Sequence, residues 1–360
     1  MPTLTKMPAN DSPRLKLAVI GAGMASAPHW RSLTDLRDEI ELSWVAALTP
    51  RRLQGLQLPD GARTTTRLDD IFEDRSTRAV LLLTPPHTHL ELAQRAARAG
   101  QHVLLEKPVE IGLARALALV ESFDSAGLTL AVVLQHRLRE GALRLAELVR
   151  SGALGALVSA AAFVRWWRPQ SYYDEAGRGT RARDGGGVLI TQAIHTLDLF
   201  ISLTGLPERV IGLAHTSSVH RMECEDTAAA LLQFAGGASA VVQATTAAYP
   251  GFAERIELNG TKGSATYESG ELKAQLTSGE IIQAGARQAT GGGADPMAFD
   301  HAPHRAVLQD FLHAVHSGST PMLSGRSALA VQRVIEAIID SAQRGVAVTI
   351  VAAHPDKGAP

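Results

Sequence analysis

The chain has 360 residues, of which 45% are hydrophobic and 20% charged, with a formal net charge of −1. That length gives room for two domains with a core, and that charge offers no basic excess to hold nucleic acid. One cysteine, Cys224, excludes an intrachain disulfide and a multi-cysteine zinc site.

Residues 1–13 lack the apolar stretch of a secretory signal and read as a flexible tail. No apolar run nears the roughly 18 residues of a membrane span, so the expectation is a cytoplasmic protein without a membrane partner. From 14 to 136 the chain alternates. Apolar runs of strand length lie at 15–20, 42–48, 78–83, 102–106 and 128–134. Helical patterns separate several of them, such as Leu90, Ala93, Ala96 and Ala97, then Leu113, Leu117 and Val120. Apolar strands alternating with helices specify a doubly wound parallel α/β sheet covered on both faces.

Directly after the first strand stands "GAGMAS", residues 21–26. Gly21 and Gly23 allow a tight turn and close approach of a pyrophosphate to a helix N-terminus, and Ser26 takes the place of a third glycine. Two glycines also suit an ordinary strand-to-helix turn. Their position after the first strand of an alternating domain favours a dinucleotide. The end of the second strand, "ALTPRR" (47–52), holds no acid for a ribose 2′-hydroxyl. Thr49, Arg51 and Arg52 stand there instead. A carboxylate repels a 2′-phosphate whereas arginine grips one bidentately, so NADP(H) is favoured over NAD(H). The competing reading is two solvated arginines.

The run at 101–111, "QHVLLEKPVEI", ends a strand with Glu106, Lys107 and Pro108. Lys107 thereby falls at the carboxyl end of a parallel strand, where open α/β sheets bind ligands.

Beyond 136 the pattern changes. A helix over 140–152 leads into a strand over 157–167, a Gly- and Arg-rich loop, and a helix beginning near Gly187. Strand-like runs between 210 and 283 are separated by "GG", "NG" and "KG" turns, which predicts antiparallel pairing. After a glycine-rich loop (285–296) come two helices, the first with Val307, Leu308, Phe311, Leu312 and Val315 on one face. Residues 137–350 thus read as an α+β domain on a largely antiparallel open sheet, with final helices free to pack back on the first domain.

In "GGGVLITQAIHTLDL" (185–199), helical spacing puts Thr191, His195 and Asp198 on one face. The segment 163–187 gathers two of four tryptophans, two of four tyrosines and five arginines. Aromatic faces beside polar side chains suit a carbohydrate, which makes Trp166, Arg168, Tyr173 and Arg181 substrate candidates; domain packing is the alternative. His301 and His304 in "DHAPH" are three apart, but no acid cluster completes a metal site, and they read as a helix-start pair.

The stretch 84–116, the early "GAGMASAPHW" and the 185–199 run together resemble the Gfo/Idh/MocA oxidoreductases, over residues 14 to 348. The resemblance implies a Rossmann nucleotide-binding domain and a substrate domain whose open sheet forms homodimers or homotetramers. It implies hydride transfer on a secondary alcohol of a sugar, cyclitol or related polyol. Positions matching the family's cofactor site are Gly21, Gly23, Met24 and Ala25, then Thr84, Pro85, Pro86 and His89, followed by Glu106 and Lys107. "LQHR" matches a further cofactor segment with His136 where Asn is usual, beside Arg137. Lys107 and His195 match the catalytic pair, while Thr191 replaces a usual Asp and Asp198 one turn on can compensate. Two relatives' activities remain as alternatives: a redox glycosidase with tightly bound NAD, and a noncatalytic NAD(P)-binding ligand sensor.

Overall fold

The computed structural model describes residues 14–23, 26–56, 58–288 and 300–350. The first sheet has six strands: β1 Leu15–Ile20, β2 Ile40–Ala46, β3 Arg63–Thr65, β4 Ala79–Leu82, β5 His102–Leu105 and β6 Leu130–Val132. Their spatial order is β3-β2-β1-β4-β5-β6, and every neighbouring pair is parallel. Helices α1 Ala27–Asp35, α2 Asp69–Phe72, α3 His89–Arg98 and α4 Leu113–Ala126 lie between strands. All four residues of β4 are buried, because helices cover both faces and no side of the strand meets water. The chain runs outward from β1 in one direction and from β4 in the other. That reversal opens a crevice at the carboxyl ends of the strands. The three-residue edge strand β3 carries no apolar run, so the hydrophobic pattern does not register it.

Helix α5 Glu140–Arg150 leads to the second sheet. It contains β7 Leu157–Arg165, β8 Arg209–His215, β9 Thr227–Gln233, β10 Ser239–Thr245, β11 Arg255–Gly260, β12 Gly263–Glu268, β13 Glu271–Leu276, β14 Ile281–Ala284 and β15 Val348–Thr349. The order is β14-β13-β12-β11-β7-β10-β9-β8-β15. β7 and β10 are parallel and the other pairs antiparallel. Burial alternates along β9 and β10, as a sheet with one covered face requires.

Short helices α6 Gln170–Tyr173, α7 Arg181–Asp184 and α8 Val188–Thr191 precede α9 Ile194–Thr204. Spacing predicts one helix from Gly187 onward; the structure breaks it between α8 and α9, with a 57° bend. The final helices, α10 Ala302–Ser317 and α11 Gly325–Arg344, tie the sheets together. α10 packs on α1, while α11 lies between α4 and β8.

Candidate active site

A cavity of about 1410 Å³ runs over the carboxyl ends of β1, β4 and β5. Gly21 and Gly23 form one end; Thr84, Pro85 and Pro86 form a flank; Lys107, Thr191, Tyr172 and Arg178 close the other end. Gly21 has φ +111°, and a Cβ there would lie 2.5 Å from the carbonyl oxygen of Leu83, so no other residue fits. The third-glycine position is met by Ser26, whose hydroxyl donates to the Gly23 carbonyl at 2.7 Å and accepts from the Trp30 indole at 3.0 Å. Met24 and Ala25 lie outside the described residues. This bare glycine cradle at the start of α1 fits a dinucleotide pyrophosphate.

Of the residues after β2, Arg52 lines the cavity, with Nη1 3.8 Å from where a Gly23 side chain would begin. Thr49 and Arg51 are exposed and stand outside the cavity wall, because Pro50–Arg52 form a single 3₁₀ turn that aims only its last side chain inward.

Lys107 leaves the end of β5 and enters the cavity wall. Its Nζ donates to the carbonyl oxygen of Thr191 at 2.7 Å. The helix break explains why that oxygen is free to accept, since it belongs to neither ladder of backbone bonds. Burial pulls the Lys107 ammonium below its usual pKa, against the opposing charges of Glu106 and Asp184. Glu106 also borders the cavity, but both its oxygens face protein donors. Oε1 accepts from His29 Nε2 at 2.8 Å and Oε2 from the Lys107 backbone N–H at 3.0 Å. Burial, the largest single cause, pushes the Glu106 carboxyl up, yet the His29 hydrogen bond together with the charges of His29, Lys107 and His304 outweighs it, and the net shift is downward.

His304 packs edge-on against His29 at 5.2 Å, so it joins a buried His29–Glu106–His304 group instead of pairing with His301. His301 starts α10 and pairs with Asp35 at 2.9 Å. The 2.8 Å separation of His29 and Glu106 is that of a hydrogen bond. Two ligands on tetrahedral zinc lie about 3.3 Å apart.

His195 follows the break, half-buried, with Nδ1 enclosed and unpartnered among the described residues. Burial, then the charge of Lys107, holds its pKa well below 6.5, so the imidazole is neutral at pH 7. Its ring lies 5.2 Å from that of His136, which is buried and likewise held neutral. Neither imidazole is among the residues that line the cavity: His195 lies behind the wall that Lys107 and Thr191 form, with His136 beside it.

Several sequence assignments need correction. Because the helix breaks, Thr191 ends one segment while Asp198 sits in the next, fully buried. Asp198 accepts from Arg137 Nε at 2.6 Å and from Nη2. The pair locks the turn at 135–138 to α9, and neither Asp198 nor Arg137 is among the residues that line the cavity; burial lifts the Asp198 carboxyl to about 6. His89 is buried behind the wall. Its ring meets the carbonyl oxygens of Thr84 at 2.9 Å and Pro108 at 3.0 Å, clipping together the loops that follow β4 and β5.

Trp166 and Arg168 are buried on the inner side of the sheet. Tyr173 reaches the cavity, but its hydroxyl shares a 2.6 Å hydrogen bond with Thr246. Arg181 lines a separate cavity of about 580 Å³, with Arg333 and Glu225. The polar residues the structure brings to the cavity wall instead are Tyr172 and Arg178, with the buried Gln192 bonded to Tyr172 from behind. The adjacent tyrosines and the arginine count signalled that segment, but not which tyrosine faces inward.

A model of the oxidoreductase family with an NAD-binding Rossmann fold matches residues 15–134, and one of the GFO/IDH/MocA C-terminal domain matches 142–266. Inositol 2-dehydrogenase of Rhizobium meliloti is 25% identical over 346 residues, 92% of this chain and 97% of that protein. 1,5-Anhydro-D-fructose reductase of Ensifer adhaerens is 29% identical over 206 residues, 56% of this chain and 60% of that one. Among solved structures, the WlbA dehydrogenase from Bordetella pertussis in complex with NADH and UDP-GlcNAcA has a TM-score of 0.81 at 27% identity. It covers 95% of this chain and 100% of its own.

Proposed function

The chain belongs to the Gfo/Idh/MocA family of NAD(P)-dependent oxidoreductases, and from that premise we propose that it interconverts a secondary alcohol and a ketone on a sugar, cyclitol or related polyol. The observation that carries the reading is Lys107, a desolvated lysine in the same cavity as the glycine loop. Relatives named for inositol and anhydrofructose support the substrate class.

Gly21, Gly23 and Arg52 would hold the dinucleotide, which when bound supplies the hydride acceptor or donor. Lys107 presents an ammonium to the reacting oxygen and stabilises the charge that develops as the carbonyl forms. Its lowered pKa suits it to pass the hydroxyl proton on, and the neutral imidazole of His195 is the group able to receive it. Thr191 contributes no acid: its hydroxyl donates to the Gly187 carbonyl at 2.6 Å, and its carbonyl orients Lys107.

The finer cofactor reading is a preference for NADP(H). Its support is the absence of an acid after β2 and the inward Arg52. The assembly reading is a homodimer or homotetramer through the open sheet. Ile211, Leu231 and Val241 stand in register across β8, β9 and β10 on its uncovered face, 46%, 57% and 42% exposed. A continuous exposed apolar stripe of this kind marks a protein interface.

The test is a screen of inositols, sugars and sugar acids for reduction of NADP+ and NAD+, run beside Lys107→Ala. Turnover in the parent and none above background in the variant is expected. Failure of every polyol, or an unimpaired variant, overturns the reading.

A further inference from the structure

Tyr172 stands in the cavity wall with Lys107 and Thr191. Its ring is held on two sides, edge-on to Tyr173 at 5.1 Å and beneath the Arg178 guanidinium at 4.3 Å. Its hydroxyl oxygen accepts two hydrogen bonds, from Arg178 Nη1 at 2.8 Å and from Gln192 Nε2 at 2.8 Å.

The direction of the second bond is settled by chemistry. Arg168 Nη2 lies 3.1 Å from the other end of the Gln192 amide, and a guanidinium only donates. That end must be the carbonyl oxygen, so the amide nitrogen faces Tyr172. Arg178 is fixed in turn by Glu175, which accepts from its Nε at 2.9 Å. A phenol oxygen has two lone pairs and one proton. Both lone pairs are used, and among the described residues the proton has no acceptor.

We propose that Tyr172 is a specificity-determining residue whose hydroxyl, able only to donate, binds an acceptor oxygen of the substrate, and that this oxygen belongs to a carboxylate. The assignment rests on the cavity taking a carbinol substrate. Two donors, one of them charged, draw density from the phenol oxygen and polarise its O–H. A donor of that kind is best met by an anionic oxygen. A substrate hydroxyl placed there accepts equally well but must find a second acceptor for its own proton. The site therefore selects a sugar acid over the neutral sugar.

The test pairs D-glucuronate with D-glucose and D-galacturonate with D-galactose, on the cofactor-loaded enzyme. Tyr172→Phe removes the donor. Gln192→Glu keeps the phenol and the volume but places a carboxylate beside it, so the proton turns inward. Both variants are expected to lower kcat/KM on the uronates about tenfold or more through KM, to lower it on the matching neutral sugars by a clearly smaller factor, and to leave NADH affinity unaltered. The Raman Fermi doublet of tyrosine separates accepting from donating phenols. With four tyrosines in the chain, the parent-minus-Tyr172→Phe difference isolates this one. It is expected to report an acceptor that donates no more strongly than to water without uronate, and stronger donor character with it.

Equal losses on acids and neutral sugars, a Gln192→Glu enzyme that behaves as the parent, or a phenol that donates as strongly without uronate as with it would overturn the proposal. If no sugar or uronate is oxidised at all, the polyol reading fails. The Raman titration with D-glucuronate still decides the role of Tyr172.

Discussion

In the proposed reaction Lys107 and His195 work in opposite protonation states, and the pH dependence should carry both. His195 must be neutral, and its pKa is held well below 6.5, so the acid limb of kcat/KM is expected to fall off only well below pH 6.5. Lys107 must carry its proton to hold the developing negative charge, and its pKa is drawn below 10.5 by burial. Activity is therefore lost as pH rises through that lowered value. Lys107→Ala should cost roughly 10²- to 10⁴-fold in kcat and erase the alkaline limb, with cofactor affinity little changed. Arg52 and Arg51 separate in the same way. Arg52→Ala should remove the proposed NADPH preference, by about tenfold or more in relative affinity. Arg51→Ala should leave it intact, as read by fluorescence titration with both nucleotides.

At the scale of elements, the site depends on close approach and on buried imidazoles. Gly21→Ala forces a side chain against the Leu83 carbonyl at positive φ. It is expected to cost at least about 2 kcal/mol in urea unfolding and to abolish nucleotide binding. The contact among α1, β5 and α10 contains His304, whose pKa is lowered to about 3, burial being the main cause. A histidine neutral when folded binds a proton on unfolding, so stability falls as pH drops from about 6.5 toward 3. At pH 5 this one group accounts for about 2 kcal/mol. His136 and His195 add to the loss in the same direction. Asp198 acts oppositely, because its carboxyl is raised to about 6 and is protonated more readily when folded. His304→Leu should flatten the acid side of a melting-temperature profile between pH 7.5 and 5. An unchanged slope would place the acid sensitivity elsewhere.

The second sheet turns one face to helices and, among the described residues, leaves the other bare. Leu231 and Ile211 face each other across β8 and β9 on that bare side, with Leu213 70% exposed nearby. Replacing Leu213 and Leu231 by Lys should convert an oligomer to monomers in light scattering. Secondary structure by circular dichroism is expected to stay as in the parent. A parent that is already monomeric would refute the interface.

The amino-acid pattern alone determined the alternating parallel sheet, the glycine turn after β1, the antiparallel second sheet and the placement of Lys107 at a strand's carboxyl end. Each follows from local rules of periodicity, turn chemistry and strand direction, which act over a few residues. Which side chains meet was decided by tertiary packing. Helical spacing placed Thr191, His195 and Asp198 together, and a break two residues long separated them, sending Asp198 to Arg137 and offering the Thr191 carbonyl to Lys107. Two adjacent tyrosines are equivalent in composition. Only the position of Thr246 beneath one, and of Arg178 and Gln192 around the other, made Tyr173 a structural bond and left the Tyr172 proton to the cavity. Those partners lie 6 to 73 residues away in the chain, and no periodicity reaches that far.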